Sequence, residues 1–387
     1  MIGKEGQYYL LLNFGDERDS MLENDFLSFV YIEEAGNVLP MFELFFQTGG
    51  YSEAILRSLN EGSVLKATIG ESFKREGNRN QPDPISAELV MSKLESLRSA
   101  SGQRVIMLRG FLNVLGYLEE SRIRIFPKSN PSDVVSSVVS GFFESDIDDF
   151  DGIQNWVQYS ITDKKFVNEL WMHSDAGESS PVVGITSEGV FKMKNLAELA
   201  GKEPRWIFGG SKGKNALKYL GDYTVSNSSG VMNTWYGYER EKLVNFLETG
   251  QSDNSSVSSP PPELALSDSR IVSGDLGRRR DSVGYLTDNH HDKFFSSNQK
   301  NLQILTTTST YKVKLTVPDL FFDVGVLDTV FFRDTNVSDN SKADDNFTGK
   351  YLVSKVSRTI SKGSINSYLE IVRESSNNPL GTFKNAS

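Results

Sequence analysis

The stretch GKYLVSKVSRTISKGSINSYLEIVR, residues 349–373, contains two β-strand patterns separated by a short turn. Residues 351–360 and 366–373 are rich in β-branched and aromatic side chains, and the sequence Ser-Lys-Gly-Ser between them has the composition of a turn. Strand patterns on both sides of a short glycine-containing turn are typical of a β-hairpin. We therefore predict two antiparallel strands here.

The residues that precede this hairpin continue the pattern. Residues 302–308 and 311–317 are rich in β-branched residues, and the second run alternates with a period of two. Pro318-Asp319 interrupts the run, a new strand is predicted from residue 330, and Gly349 closes the polar stretch 336–346. The sequence thus predicts a series of short strands and tight turns from 301 to 376.

The order of these segments resembles the closing barrel of phage tail and baseplate hub proteins, the family of the myovirus hub and late control D proteins. The resemblance rests on YKVKLTVPDL (311–320), DVGVLDTVFF (323–332), GKYLVSKVSRTISKG (349–363) and SYLEIVRES (367–375). Two positions depart from the family pattern: no proline precedes Gly325, and Arg358 stands where histidine is common.

Length and composition set limits on the fold. A chain of 387 residues suggests two or three domains, and 24 Phe and 14 Tyr favour β-rich packing. The absence of cysteine excludes disulfides, thiolate metal sites and cysteine nucleophiles. Only three histidines are present, which argues against a histidine-rich metal centre.

The net charge limits the kinds of partner that we expect the chain to bind. The net charge of −10 argues against nucleic-acid binding, which needs a positive surface, but suits a wall past which DNA slides. The N-terminus lacks the apolar region of a signal peptide, and no stretch approaches 18 uninterrupted apolar residues. We expect a soluble protein made in a cytoplasm.

The remaining chain divides by its patterns. Residues 1–127 contain strand patterns at 8–14, 26–33, 38–46, 63–69 and 105–112; residues 51–59 suggest a short helix, and 85–97 fit either a strand or a helix. We predict an antiparallel barrel or rolled sheet for 1–127, because alternation with one apolar face suits a small barrel. The resemblance implies that this is the first tube-type barrel.

A different pattern begins after residue 127. Asn130 or Ser132 can cap a helix over 131–143, Thr162 can cap a second over 163–174, and 182–186 with 189–193 form a hairpin. This block, 128–200, resembles the small α+β insertion domain between the two barrels of hub proteins. The resemblance implies a second tube-type barrel, which we assign to 201–248 and 293–378, with further strand patterns at 206–208, 223–225 and 232–238 and a tail at 379–387. Residues 249–292, rich in Ser and Pro, are predicted to form a mobile linker or an extended arm held by neighbours. The expected fold class is mainly β with this insertion.

Four segments contain residue types that occur at functional sites, and none of them predicts a catalytic or metal site. In the acidic loop 146–152, Ile147 and Gln158 fall at EF-hand ligand positions. Phe208 and Asn215 break a phosphate-loop pattern around 209–215. His290-His291 lies in a polar arm, where we expect solvent exposure, and Arg278-Arg279-Arg280 suits a contact with a neighbouring subunit.

No nucleophile motif is present, and 51 carboxylates make any acidic pair uninformative. We predict no catalytic, cofactor-binding or metal site and no enzymatic activity.

The resemblance implies a structural role in a virion assembled in the host cytoplasm. Such a hub is a ring of three chains with two barrels each, which joins a six-fold tail tube to a three-fold central spike around a channel. Its expected partners are tail tube or tube-initiator proteins, the central spike, the tape measure protein and baseplate wedge proteins, without a membrane span or specific nucleic-acid binding.

Two other functions stay open from the sequence. A tail-tip enzyme acting on carbohydrate or peptidoglycan, or an adhesin, would need a cleft that sequence does not display. A secretion-system spike would add an oligonucleotide-binding fold and a long β-helix, and neither pattern follows within these 387 residues. We therefore expect the spike to be another chain.

Overall fold

A 13-stranded sheet, antiparallel except at one end, runs through both halves of the chain. The computed structural model describes residues 8–14, 26–47, 59–71, 84–98, 104–209, 216–217, 223–227, 240–246, 249–257, 279–285, 290–317, 324–333, 347–361 and 364–374. The predicted mainly β fold class with a small α+β insertion is confirmed.

The N-terminal half of the sheet contains six strands in the spatial order β1-β4-β5-β6-β3-β2, all antiparallel. Their side chains alternate between a buried and a partly exposed face, as in Met41–Gln47, where Phe42, Leu44 and Phe46 are buried. The strands are β1 Tyr8–Phe14, β2 Phe26–Glu34, β3 Met41–Gln47, β4 Val64–Glu71, β5 Ile85–Arg98 and β6 Arg104–Leu112.

Residues 85–97, whose sequence fits either a strand or a helix, belong to the strand β5. Its register against β6 shifts between Met91 and Lys93, and this bulge brings the two backbones close together. A Cβ at Gly110 would lie 2.1 Å from the carbonyl oxygen of Val90, so only glycine fits at this position.

The C-terminal half of the sheet is joined to the first through one long strand, β20. The first residues of β20 pair with β19 and its later residues pair with β2, while β21 pairs along the opposite edge. The predicted hairpin of β20 and β21 is confirmed. The strands are β12 Trp206–Phe208, β13 Ala216–Leu217, β14 Tyr223–Asn227, β18 Tyr311–Val317, β19 Thr329–Phe332, β20 Gly349–Ser361 and β21 Ser364–Arg373.

Between the two halves lies the α+β insertion. The predicted helix caps are confirmed, because the side chains of Asn130 and Thr162 accept hydrogen bonds from the backbone amides of Ser132 and Lys165. The predicted hairpin forms, and β7 and β9 form a separate two-stranded ribbon that the sequence did not reveal. The elements are α1 Leu115–Glu119, β7 Ser121–Ser129, α2 Pro131–Val139, β8 Glu144–Ile147, β9 Gln154–Thr162, α3 Asp163–His173, β10 Pro181–Ile185, β11 Val190–Asn195 and α4 Leu196–Gly201.

Residues 302–308, predicted as a strand, belong instead to the helix α5, Phe294–Thr308, so that prediction is wrong. The hydroxyls of Thr306, Thr307 and Thr308 donate to carbonyl oxygens four residues earlier at 2.6–2.8 Å. These bonds let β-branched residues end a helix with their polar groups satisfied. Buried side chains recur at helical spacing through Phe294, Asn298, Asn301 and Ile304.

Both ends of the predicted arm are strands rather than linker. β16 Gln251–Val257 and β17 Arg279–Tyr285 pair with the two edges of β15 Arg240–Phe246 in a three-stranded sheet. The triproline and Arg278 lie outside the described residues, as do residues 51–58 of the helix predicted at 51–59, the strand predicted at 232–238 and most of the 209–215 loop. None of the helices in the described part is long and apolar enough to cross a membrane.

Candidate functional site

A buried ion pair joins the two halves of the sheet. Glu33 on β2 and Arg358 on β20 are each 1% exposed, and the guanidinium Nη1 lies 2.5 Å from the carboxylate Oε1. A second guanidinium nitrogen, Nη2, donates to the carbonyl oxygen of Val324 at 2.7 Å. The arginine that departs from the family pattern therefore supplies the cation of this joint.

The insertion is tied to the same ion pair. The hydroxyl of Ser187, in the turn of the β10–β11 hairpin, donates to Glu33 Oε1, and the Tyr31 hydroxyl donates to the carbonyl oxygen of Ser187 at 3.0 Å. Burial, reinforced by the charge of Glu33, raises the pKa of Tyr31 above its ordinary value, so its hydroxyl remains a donor. One ionic network thus fixes both sheet halves and the insertion.

The turn before β19 also contacts the Glu33–Arg358 ion pair. The backbone amide of Val326 donates to Glu33 Oε2 at 3.4 Å, and the amide of Gly325 donates to Asp328 Oδ2 at 3.0 Å. Leu327 has a φ of 69°, a left-handed conformation that is rare for leucine. Residues 324–326, part of the segment that carried the family resemblance, therefore add contacts with Glu33 of β2 and Arg358 of β20 to the pairing of these two strands.

A cavity of about 270 Å³ lies beside the joint, between the sheet, α3, α5 and β10. Its walls are mainly apolar and include Trp171 and Leu305, and the Lys312–Glu370 ion pair, 3.0 Å long, also lines it. Burial raises the pKa of Glu370, but the bond from Lys312 outweighs it and the net pKa is lowered. The volume is slightly below the roughly 300–1,000 Å³ of ligand pockets.

All three histidines of the chain gather around Phe294, the first residue of α5. The Phe294 ring stacks between His173 and His290, with centroid distances of 3.7 and 4.1 Å, and His291 meets its edge at 5.6 Å. The expectation that His290 and His291 are solvent-exposed is wrong, because both are half-buried. Sequence reasoning missed this cluster, since His173 lies more than a hundred positions away.

Hydrogen bonds assign a proton on two of these rings. His173 Nδ1 lies 2.9 Å from the carbonyl oxygen of Phe294, and His291 Nε2 lies 3.1 Å from the carbonyl oxygen of His173. A carbonyl only accepts, so both nitrogens carry hydrogen. Burial lowers the pKa of His291, which therefore prefers its neutral form in the folded protein.

Asp175 binds the same helix electrostatically. Its carboxylate accepts hydrogen bonds from Lys293 Nζ at 2.6 Å and Lys300 Nζ at 2.8 Å. Burial alone would raise the pKa of Asp175, but the two lysines outweigh this effect and lower it. The histidine cluster and Asp175 together hold α5 against the insertion.

We expect stability to fall in two separate pH windows. His291 has a lowered pKa, so its contribution is present above the unfolded value of about 6.5 and is lost as the pH falls below it. Asp175 also has a lowered pKa, so its contribution is present above about pH 3.9 and is lost as the pH falls through the folded value.

Thermal unfolding at about pH 7.5 and 5.5 measures the first of these windows. His291→Gln should shrink the drop in melting temperature between the two pH values and leave the acid loss below about pH 4 in place. An unchanged drop in the variant would assign the proton uptake to other groups.

The carboxylates of the acidic loop 146–152 make ion pairs and hydrogen bonds within the fold rather than a metal site. Asp146 and Asp148 bind Lys194 at 2.5 and 2.7 Å, and Asp148 also accepts from the backbone amide of Asn195. Asp149 accepts from the Asn130 side chain at 3.0 Å. In the described part of the chain, no group of His, Cys, Asp or Glu side chains is arranged to hold a metal ion. The side chains of Arg279 and Arg280 lie outside the described residues.

Two solved structures superpose on this chain over nearly their whole length. The 43 kDa tail protein of prophage MuSo2 from Shewanella oneidensis superposes with a TM-score of 0.58 at 8% identity, covering 96% of this chain and 97% of that one. A tail protein from Neisseria meningitidis MC58 superposes with a TM-score of 0.55 at 7% identity, covering 95% and 97%. The chain has the fold of phage tail proteins.

The tail-protein fold confirms the resemblance drawn from residues 311–375 and extends it over almost the entire chain. No protein-family model and no curated protein matches the sequence.

Proposed function

We propose that this protein is a structural component of a phage or phage-like tail. The observation that carries the proposal is the match of the tail-protein fold over 95–96% of the chain to two tail proteins of nearly the same extent. In finer detail, we propose a hub: a ring of three chains that joins a six-fold tail tube to a three-fold central spike around a channel.

The buried charges support a structural role rather than an enzymatic one. Glu33, Asp163 and Asp175 are all buried, and each carboxylate is paired with a cation that comes from a different element. Such pairs fix the relative positions of the elements that they join. A hub needs this rigidity, because it transmits the position of the spike to the tube.

The net negative charge of the chain supports the proposal that it surrounds a channel for DNA. A net charge of −10 disfavours contact with the phosphate backbone of DNA, so DNA and the tape measure protein can pass without binding. We propose the tail tube or a tube initiator, the central spike, the tape measure protein and baseplate wedge proteins as partners, and the assembled virion as its location.

Quantitative mass spectrometry of purified tail particles tests this function. We expect three copies of the chain per particle, counted against the tail tube protein, and no tails when its gene is deleted. Complete tails without the chain would contradict the proposal. Six copies per tail would keep a tail component but contradict the three-chain hub.

A further inference from the structure

The outward face of the β7–β9 ribbon is mainly apolar, with exposed Asn155 between Ile153 and Val157. The cross-strand pairs Ile123–Tyr159 and Ile125–Val157 lie side by side on it, and Ile153 lies just before β9. Ile123, Ile125 and Tyr159 are 70%, 67% and 76% exposed. We call these five side chains the ribbon face.

The other side of the ribbon packs against the insertion, so the ribbon face is not an inverted core. Trp156 and Gln158 alternate with Val157 and Tyr159 and are buried. Arg124 on β7 binds the buried carboxylate of Asp163, the first residue of α3, and Gln158 Nε2 donates to the same carboxylate at 2.9 Å. Both faces of the ribbon are therefore built from uncharged side chains or compensated charges.

The extent of the ribbon face fits a protein surface rather than a small ligand. The five side chains together expose on the order of 600 Å² of mainly apolar area, the upper end for a patch on a monomer. One side of a stable protein–protein interface buries about 800 Å². The ribbon face can thus supply most of one such side.

The charge around the ribbon face favours a second copy of this chain. Two copies of a protein with a net charge of −10 repel each other least where the contact carries no carboxylate. The strands β7 and β9 contain Arg122, Arg124 and Lys128 and no acidic residue. Arg122 and Arg124 are compensated by Glu120 and Asp163, so the ribbon face is an apolar region without excess negative charge on an acidic protein, and a second copy can approach it with the least repulsion.

We propose that the ribbon face forms a contact between copies of this chain. The inference rests on the proposed ring, which requires such a contact, and it assigns Ile125 and Tyr159 as central residues of that contact. Because both side chains point away from the insertion, they can be changed without disturbing the fold.

Light scattering of the purified full-length chain over a range of concentrations tests this surface. We expect the wild type to self-associate, and we expect the double variant Ile125→Ser/Tyr159→Ser to associate at least about tenfold more weakly. The matched control is Leu94→Ser/Tyr368→Ser, which removes a similar pair of side chains, 40% and 46% exposed, from strands of the main sheet. Circular dichroism should show the same fold in all three proteins.

Each other outcome overturns the inference. A monomeric wild type, equal association of the two double variants, or stronger weakening by the control would each exclude the ribbon face as the self-contact. Binding of the ribbon face only to another tail protein would show a different occupant. The number of copies of the chain per tail particle is measured independently of its self-association in solution. A ring that assembles through another surface therefore remains detectable.

Discussion

Replacing Arg358 with leucine is expected to lower the free energy of unfolding by about 3–5 kcal/mol, because the substitution leaves the Glu33 carboxylate buried without its cation. Glu33 is 1% exposed and keeps only the donors Ser187 and Val326 in the variant. Chemical denaturation followed by circular dichroism measures the loss. Because the pair joins β2 to β20, we also expect faster hydrogen exchange along both strands.

Two further variants separate the buried pair from ordinary surface charge. Lys355→Met removes a pair with Glu34 from the same two strands, where both partners are 37–45% exposed, and should cost no more than about 1 kcal/mol. Glu33→Gln/Arg358→Leu should be more stable than Arg358→Leu alone, because the glutamine still accepts hydrogen bonds and carries no charge. A loss as small as that of Lys355→Met would show that Glu33 escapes into solvent.

Phe294→Ala is expected to cost about 3–5 kcal/mol, since it removes a ring that is 1% exposed and stacked between two histidines. The effect should be concentrated in α5, which this residue begins. Hydrogen exchange measured by mass spectrometry should show loss of protection over 294–308 before the main sheet is affected.

Phe294→Leu is the matched control for this site. Leucine keeps much of the buried apolar volume but cannot stack between His173 and His290, so we expect less than half the loss of the alanine variant. Equal losses for the two variants would assign the whole effect to ring stacking. Unchanged protection of α5 in the alanine variant would contradict its anchoring by this cluster.

Local sequence patterns predicted most of the strands but misassigned α5. In the hairpin of β20 and β21 and in the strands of the first half, side-chain alternation indicated both the element and its buried face. The run 302–308 failed because β-branched threonines favour strands in general, whereas here their hydroxyls bind carbonyls within a helix. That outcome depends on what α5 packs against.

The candidate site was less accessible to sequence reasoning than the fold. Glu33 and Arg358 are separated by 325 positions in the sequence. The local pattern around each one indicates only a charged residue in a strand. The one available signal was the arginine at a position where histidine is common, and it gave no indication of a partner. The ribbon face was likewise hidden, because its two strands are separated by the helix α2, the strand β8 and the loops that connect them.

The sequence by itself determined the mainly β class, the absence of cysteine chemistry, the negative charge and the helix caps at Asn130 and Thr162, because each depends on composition or on residues close in the chain. Only the tertiary structure decided that Glu33 meets Arg358, that three histidines surround Phe294 and that the ribbon face is exposed. These features depend on contacts between distant segments, and alternation within one strand does not specify which distant strand lies beside it.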